Sequence, residues 1–272
     1  MKRIQKKFQE LEAQNKCAFV AYICAGDPDY TTSLEILKNL PQAGCDIIEL
    51  GVPFLDPAGD GPIIENASKR AIKNGASLKK TLLMVEDFRK TNDSTPLLLM
   101  GYYNPFLKYG LDKIFTDAQK AGVDGILIVD LPFEEKNEIT KHLSTTNLDL
   151  INLIAPLTDE KRIKKLSDSA SGFLYLVSML GITGTKQANL DDNKINLQKI
   201  RNNSSLPVVI GFGISEPRQA EEFSKIGANG VVVGSAIVKE IDKNYSAHKN
   251  QQEIVENTLQ KVREFAQAIK RC

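Results

Sequence analysis

Eight short apolar runs, separated by stretches long enough for a helix, constrain the fold of this chain more than any other feature of its sequence. They are rich in β-branched residues and almost continuously apolar, which is typical of parallel strands covered on both faces. Between them lie helix patterns, and several of these end in Ala-Gly or Ile-Gly, as a helix often does before the next strand. The runs span residues 18–24, 46–50, 96–100, 125–130, 150–154, 173–177, 207–211 and 230–234.

Eight alternating strand and helix units in about 250 residues match a (β/α)8 barrel in both count and length. The alternative is a doubly wound open sheet, which normally carries a glycine-rich dinucleotide turn after its first strand. The first run is instead followed by AGDPD at 25–29. Because no linker-like stretch interrupts the chain, we predict an α/β protein with a single TIM barrel domain over residues 1–272. An extra N-terminal helix at about 2–13 and a long C-terminal helix at about 250–270 are expected to flank it.

Charge and composition exclude several classes of function. The net charge of +1 gives no sign of a nucleic-acid partner or an anionic membrane surface. No run approaches the roughly 18 to 20 apolar residues that cross a bilayer, and the charged N-terminus lacks the apolar stretch of a secretory signal. The four cysteines show no C-x-x-C spacing, and the two histidines lie in polar helix patterns. We therefore predict a cytoplasmic protein with reduced thiols, no metal site and no histidine catalysis.

Long connections after three of the predicted strands indicate where the site lies. In a barrel of this kind, function resides at the C-terminal ends of the strands. Long connections in compact domains are usually lids, binding loops or contact surfaces. These connections are named loop 2 (51–76), loop 3 (101–110) and loop 6 (178–194).

Two glycine-rich turns follow the last two strands. GFGIS at 211–215 and GSAIV at 234–238 occupy the positions where barrels often bind a phosphate. Glycine lets backbone N–H groups approach an anion, a helix N-terminus adds partial positive charge, and Ser235 adds a hydroxyl donor. GITG at 181–184 could close over the same anion. Ordinary turn glycines are the alternative, but two such loops in this order favour a phosphate site built from backbone amides.

Glu49 ends an apolar run, and its position needs a reason because burying an unpaired charge is costly. One reason is structural, a salt bridge or hydrogen bond at the barrel rim. The other is acid–base catalysis by a carboxyl whose pKa is raised by apolar neighbours. Asp27, Asp60 and Asp130 lie near strand ends with the same ambiguity. No lysine ends a strand, which argues against a Schiff-base aldolase. The residues alone predict an enzyme that acts on a phosphorylated small molecule with carboxylates as acid–base groups.

ELGVPFLDPAGDGP at 49–62 closely resembles the signature of the tryptophan synthase alpha chain family, whose usual form is E-L-G-[IV]-P-F-S-D-P-x-A-D-G-P. The sequence departs from the family pattern at Leu55, at Ala58-Gly59 and at Met179-Leu180, which bears on lid closure and subunit coupling rather than on the chemistry. Other segments fit the pattern, so the resemblance covers essentially the whole chain. They are AGDPD (25–29), NPFLKYG (104–110), VDLPFEE (129–135), YLVS-x-x-GITG (175–184), GFGIS (211–215) and GSAIVK (234–239).

The resemblance implies a carbon–carbon lyase that cleaves indole-3-glycerol phosphate into indole and D-glyceraldehyde 3-phosphate, a retro-aldol reaction with no cofactor on this chain. By resemblance, Glu49 protonates the indole ring carbon and handles the side-chain hydroxyl proton. Asp60 hydrogen-bonds the indole N–H and stabilises the positive charge that develops there. The implied phosphate-binding residues are Gly184, Phe212, Gly213, Gly234 and Ser235. The implied indole pocket consists of Tyr22, Ile64, Met100, Leu127, Tyr175 and Thr183.

The resemblance also implies a partner. In the family a beta chain holds pyridoxal phosphate and joins indole to serine for tryptophan biosynthesis, in an alpha2-beta2 heterotetramer. The implied contact residues are Pro53, Asp56, Tyr102, Asn104, Pro105, Phe106 and Pro132. Three other readings of the sequence stay open. They are another phosphate-binding barrel, such as an indole-glycerol-phosphate synthase or a sugar-phosphate isomerase; a barrel that only activates a beta chain; and a stand-alone indole-releasing lyase.

Overall fold

Parallel strands form a nearly closed barrel in the computed structural model, which describes residues 1–178 and 190–269. Neighbouring strands follow the order β5-β4-β3-β2-β1-β9-β8-β7-β6. Each pairing joins strands that are consecutive in the chain, except that β1 pairs with β9, with Ala18 opposite Gly230. The strands of the described chain are β1 (Ala18–Cys24), β2 (Ile47–Gly51), β3 (Leu97–Gly101), β4 (Gly125–Ile128), β5 (Asp149–Leu150), β6 (Asn152–Ile154), β7 (Leu174–Val177), β8 (Val208–Gly211) and β9 (Gly230–Val233).

The fifth predicted run is divided into β5 and β6 at Ile151, so the eight expected runs give nine strands in the described part of the chain. The division occurs because this run changes partners along its length. Asp149 lies opposite Gly125 of β4, whereas Asn152 lies opposite Leu174 of β7. The N–H of Ile151 still donates to the carbonyl of Ile126 on β4, at 3.0 Å. The segment from β5 to β6 therefore connects the two ends of the sheet. The predicted TIM barrel is confirmed.

Helices follow the strands and cover the outside of the barrel. The predicted N-terminal helix is confirmed as α1, and the predicted C-terminal helix is confirmed as α12. In the described residues the helices are α1 (Arg3–Glu12), α2 (Tyr30–Asn39), α3 (Pro62–Lys73), α4 (Leu78–Arg89), α5 (Tyr103–Tyr109), α6 (Leu111–Ala121), a 3-10 turn (Phe133–Glu135), α7 (Asn137–Leu143), α8 (Glu160–Asp168), α9 (Leu190–Arg201), α10 (Pro217–Lys225), α11 (Ser235–Ser246) and α12 (Gln251–Ile269).

Two of the connections treated as long loops in the sequence contain helices. The second half of loop 2 is α3, which begins at Pro62, because proline presets the helical φ and needs no N–H in the first turn. Most of loop 3 is α5, which ends at Gly110, where φ is +104°. The irregular parts of loop 2 are therefore residues 52–61 and the short turn at 74–76.

Successive side chains along each strand point alternately outward and inward, which gives two apolar layers. Side chains on the outer face pack against the helices. Side chains on the inner face fill the barrel, and this layer includes Tyr22, Met100, Leu127 and Tyr175 from the sequence-predicted pocket. Helix α1 covers the N-terminal end of the barrel, where Phe8 meets the interior Phe173 edge to face with ring centroids 5.8 Å apart. The opposite, C-terminal end is therefore the open one. None of the helices within 1–178 and 190–269 combines the length and apolar character that a membrane span requires.

Candidate active site

Glu49 is the central acid of the open end of the barrel. It lies in the middle of β2, between Tyr22 of β1 and Leu98 of β3 in register. Its residue surface is only 1% exposed, and its Oε1 has no hydrogen-bond partner among the described residues. Burial, with a smaller contribution from the charge of Asp60, raises the pKa of Glu49 to about 8. This carboxyl is therefore mostly protonated at neutral pH and has an oxygen free to engage a substrate.

Asp60 provides a second carboxyl from loop 2, directly before α3. It is half-buried, and desolvation raises its pKa to about 6, while a hydrogen bond from the Tyr102 hydroxyl opposes that rise. At neutral pH Asp60 is therefore mostly ionised, whereas Glu49 is mostly protonated. When the pKa values of two neighbouring carboxyls differ, one carboxyl can act as an acid and the other can act as a stabilising anion.

Tyr102 fixes the end of loop 2, a role that sequence reasoning missed. Its hydroxyl accepts a hydrogen bond from the N–H of Gly59 at 3.0 Å and also contacts Asp60. Its ring lies against Phe54, with centroids 5.6 Å apart. The sequence assigned Tyr102 to a partner surface, but the structure places it 3% exposed beneath loop 2. Its position next to the loop 2 signature could not be read from the sequence, because the contact joins residues 43 positions apart.

An open cleft separates these acids from the ends of the last two strands. Its walls include eight of the predicted pocket and phosphate residues: Tyr22, Ile64, Met100, Tyr175, Phe212, Gly213, Gly234 and Ser235. Leu127, predicted for the pocket, is fully buried in the inner layer and does not line the cleft. Gly61, Ile214 and Val232 line it without having been predicted. Thr183, Gly184 and Met179 lie outside the described residues.

Two tyrosine side chains reach the cleft because the residues beside them on the neighbouring strands are glycines. A methyl group added at Gly51 would lie 2.2 Å from the hydroxyl of Tyr22, and one added at Gly211 would lie 2.2 Å from the hydroxyl of Tyr175. Tyr175 also meets Phe212 edge to face, with ring centroids 5.6 Å apart. The glycines at the ends of β2 and β8 therefore leave room for aromatic walls that suit a flat ring.

The other end of the cleft is built from the backbone. Phe212 and Gly213 follow β8 with φ of +76° and +77°, and the Ser178 hydroxyl donates to the carbonyl of Phe212. Gly234 precedes α11, and Ser235 is the first residue of that helix. No lysine or arginine lines the described part of the cleft. An anion here would be held by N–H groups, a hydroxyl and the N-terminus of a helix.

The residues predicted to contact a partner differ in exposure. Asp56, Asn104 and Pro132 are exposed, and Pro105 is half-buried. Pro53, Tyr102 and Phe106 are buried, and Phe106 packs beneath Gly101. Two large apolar side chains are exposed in the same two segments: Leu55 on loop 2 at 58% and Leu107 on α5 at 51%.

The two other rim acids have local partners. Asp130 accepts a hydrogen bond from the N–H of Tyr103, the first residue of α5, at 2.7 Å. Asp27 forms an ion pair with Arg70 of α3. No grouping of side chains in residues 1–178 and 190–269 suits a metal ion.

Comparison with known proteins agrees with this geometry. A family model described as tryptophan synthase alpha chain matches residues 8–270. Tryptophan synthase subunit alpha from Legionella pneumophila superposes with a TM-score of 0.91 at 35% identity, covering 99% of this chain and 98% of that one. A chain of tryptophan synthase from Mycobacterium tuberculosis gives a TM-score of 0.88 at 30% identity, covering 99% and 98%. A protein from Aquifex aeolicus gives 0.88 at 36%, covering 99% and 100%. The chain belongs to the tryptophan synthase alpha chain family.

Proposed function

We propose that this chain cleaves indole-3-glycerol phosphate into indole and D-glyceraldehyde 3-phosphate. The observation that carries the proposal is that two carboxyls, Glu49 and Asp60, line a cleft that is also lined by the glycine turn after β8 and by the N-terminus of α11. Burial raises the pKa of Glu49 to about 8 and that of Asp60 to about 6, which favours one protonated and one ionised carboxyl at neutral pH. The family supports the reaction class, and the distribution of charge supports this substrate, which has an aromatic ring at one end and a phosphate at the other.

Glu49 would supply one proton and recover another. Its protonated carboxyl donates to C3 of the indole ring, which gives an indolenine cation. The resulting carboxylate accepts the proton of the side-chain hydroxyl as the bond between C3 and the side chain breaks, which leaves indole and an aldehyde. Because Glu49 ends the cycle protonated, the reaction needs no external acid or base. A pKa of about 8 suits a group that must both give and take a proton near neutrality.

Asp60 would stabilise the cation. Protonation at C3 places positive charge on the ring nitrogen, and an ionised carboxylate that accepts a hydrogen bond from this N–H lowers the energy of the intermediate. Tyr102 supports that role because its hydrogen bond lowers the pKa of Asp60 and keeps it ionised. The aromatic rings of Tyr22, Tyr175 and Phe212 would hold the indole, and Gly213, Gly234 and Ser235 the phosphate.

We further propose that the chain acts with a beta chain in an alpha2-beta2 heterotetramer. Pyridoxal phosphate would lie on that partner, where it supplies the chemistry that joins indole to serine. Leu55 and Asp56 on loop 2, with Asn104 and Leu107 on α5, form an exposed surface suited to a docking chain. Contact there would order residues 52–61 and hold Asp60 in place, at an ordering cost of roughly 1–2 kcal/mol per residue that the partner would offset. The cytoplasmic location stays a prediction.

An indole-release assay tests the proposal. The purified chain is given indole-3-glycerol phosphate with and without a beta chain, and both products are quantified. We expect equal amounts of indole and aldehyde, and a rate 10- to 100-fold higher with the partner, which corresponds to about 1.4–2.7 kcal/mol. Glu49→Gln should abolish the reaction, whereas Glu86→Gln, an exposed control on α4, should leave it unchanged.

Three outcomes would contradict parts of the proposal. If Glu49→Gln kept more than about a tenth of the wild-type kcat, a loss under 1.4 kcal/mol, Glu49 would not be the essential acid. Equal rates with and without a bound partner would indicate a stand-alone lyase. No indole release in either case, together with faster turnover by the beta chain, would indicate a purely activating subunit.

A further inference from the structure

Asp27, a rim acid to which the proposed reaction gives no role, belongs to a buried ion-pair cluster. Its side chain is fully buried, and both of its oxygens accept hydrogen bonds from Arg70, at 2.8 Å from Nε and 3.0 Å from Nη2. The remaining terminal nitrogen of Arg70, Nη1, donates to Asp242. One guanidinium thus joins two carboxylates through its planar, forked donor geometry. We name these three residues the Arg70 cluster.

The Arg70 cluster connects three elements, and each of them brings a residue to the cleft. Asp27 follows β1, which carries Tyr22. Arg70 lies on α3, which begins two residues after Asp60 and carries Ile64. Asp242 lies on α11, whose first residue is Ser235 at the anion end. Arg70 and Asp242 each lie about two turns into their helices, so the link fixes the relative position of two helix N-termini that both border the cleft.

The cluster is expensive to maintain, which implies a use beyond packing. Despite the arginine, desolvation dominates and raises the pKa of Asp27 to about 6. A buried ion pair is often no more stabilising than apolar residues of similar volume. A separate contact also joins α3 to the loop after β1: Asn74 Nδ2, at the end of α3, donates to the carbonyl of Pro28 at 2.6 Å. The loop after β1 and α3 are therefore held together at two places.

We propose that Arg70 is a positioning residue, which sets the spacing between the carboxylate of Asp60 at the ring end of the cleft and the α11 N-terminus at its phosphate end. The expected change in the rate of indole release rests on the proposed function. The expected change in the position of the two helices does not. A substrate with two anchored ends reacts only when both ends fit together, and misplacement of about 1 Å can cost about 100-fold in rate.

Two variants separate positioning from folding. Asp242→Asn removes the negative charge from one arm, which weakens the hydrogen bond that Arg70 Nη1 donates there, and it leaves the buried Asp27–Arg70 pair intact, so the fold should persist. Arg70→Lys keeps the charge but cannot span both carboxylates. The matched controls are Asp168→Asn and Arg162→Lys, which alter exposed ion pairs on α8. Kinetics of indole release, thermal unfolding and amide hydrogen exchange are measured for each variant.

We expect kcat/KM to fall about fivefold in Asp242→Asn and at least about tenfold in Arg70→Lys, with the controls within about twofold of wild type. Amide exchange should become faster in residues 58–66 and 234–239 and stay unchanged in α8. Wild-type kcat and KM in both variants, or unaltered exchange in both segments of Asp242→Asn, would overturn the proposal. If the wild-type chain releases no indole, the proposed function fails, and the exchange data still decide whether Arg70 positions the two helices. If Arg70→Lys does not fold, Asp242→Asn decides alone.

Discussion

Glu49 shows at the residue scale how a buried acid, proposed as the catalytic one, opposes stability. An exposed glutamate of the unfolded chain has a pKa near 4.5, and burial raises that of Glu49 to about 8. Between these two values the folded state retains a proton that the unfolded state has lost. Stability attributable to this group is therefore fully present at low pH and is lost as pH rises from about 4.5 to about 8.

Glu49→Gln should accordingly stabilise the folded chain in a pH-dependent way. The variant has no carboxyl to ionise, so its advantage in the free energy of unfolding should grow with pH and reach on the order of 4 kcal/mol near pH 8. Urea denaturation at pH 5 and pH 8 measures it, with Glu86→Gln as the exposed control. A difference between variant and wild type that does not change with pH would show that Glu49 titrates normally in the folded state.

The two carboxyls of the cleft should also shape the pH dependence of catalysis. The proposed reaction needs Asp60 ionised and Glu49 protonated, so kcat/KM should decline below about pH 6 and above about pH 8. Asp27 titrates near the lower limit as well. Asp60→Asn distinguishes them: its residual activity should lose the acidic decline and keep the alkaline one. An acidic limb that survives in this variant would assign it to Asp27.

At the scale of elements, Tyr102 connects loop 2 to α5, so a change at this residue should affect the position of loop 2. Tyr102→Phe removes the hydrogen bond that lowers the pKa of Asp60, so the acidic limb of the kcat/KM profile should move to higher pH. Loss of the bond to the N–H of Gly59 should loosen the loop as well. Tyr103→Phe, one position further on, serves as the control. A profile that is the same in wild type and Tyr102→Phe would mean that the hydroxyl does not influence Asp60.

Sequence reasoning located residues well where a feature depends on position along one element. Glu49, at the end of an apolar run, and Ser235, after the glycine turn before a helix, both line the cleft. Sequence reasoning was less successful where a feature depends on contacts between elements. The division of a strand at Ile151 follows from a change of partner strands, and the link from Arg70 to Asp242 spans 172 positions. The family resemblance supplied residue types for the cleft, whereas the Arg70 cluster and the placement of Tyr102 required the fold.

At the scale of the whole molecule, the two ends of the barrel have separable tasks. Helix α1 closes the N-terminal end, and the cleft lies at the other end, so a defect in α1 should affect stability and spare catalysis. Phe8→Ala removes a buried ring that packs on Phe173 and should lower the free energy of unfolding by about 3–5 kcal/mol. Gln9→Ala, exposed on the same helix, is the control. Denaturation and kcat are measured below the unfolding transition, and a large loss of kcat in fully folded Phe8→Ala would contradict the separation.

The pairing of β1 with β9 has a consequence for how the chain matures on the ribosome. All other strand pairings join neighbours in the sequence, so a nascent chain can add strands one after another to a growing parallel ribbon. The edge of β1 stays without its partner until Gly230–Val233 has been synthesised and has left the exit tunnel. For most of translation that edge is a template for pairing with another nascent chain. Chaperone dependence of this protein during synthesis should therefore persist until nearly the last helix, α12, emerges.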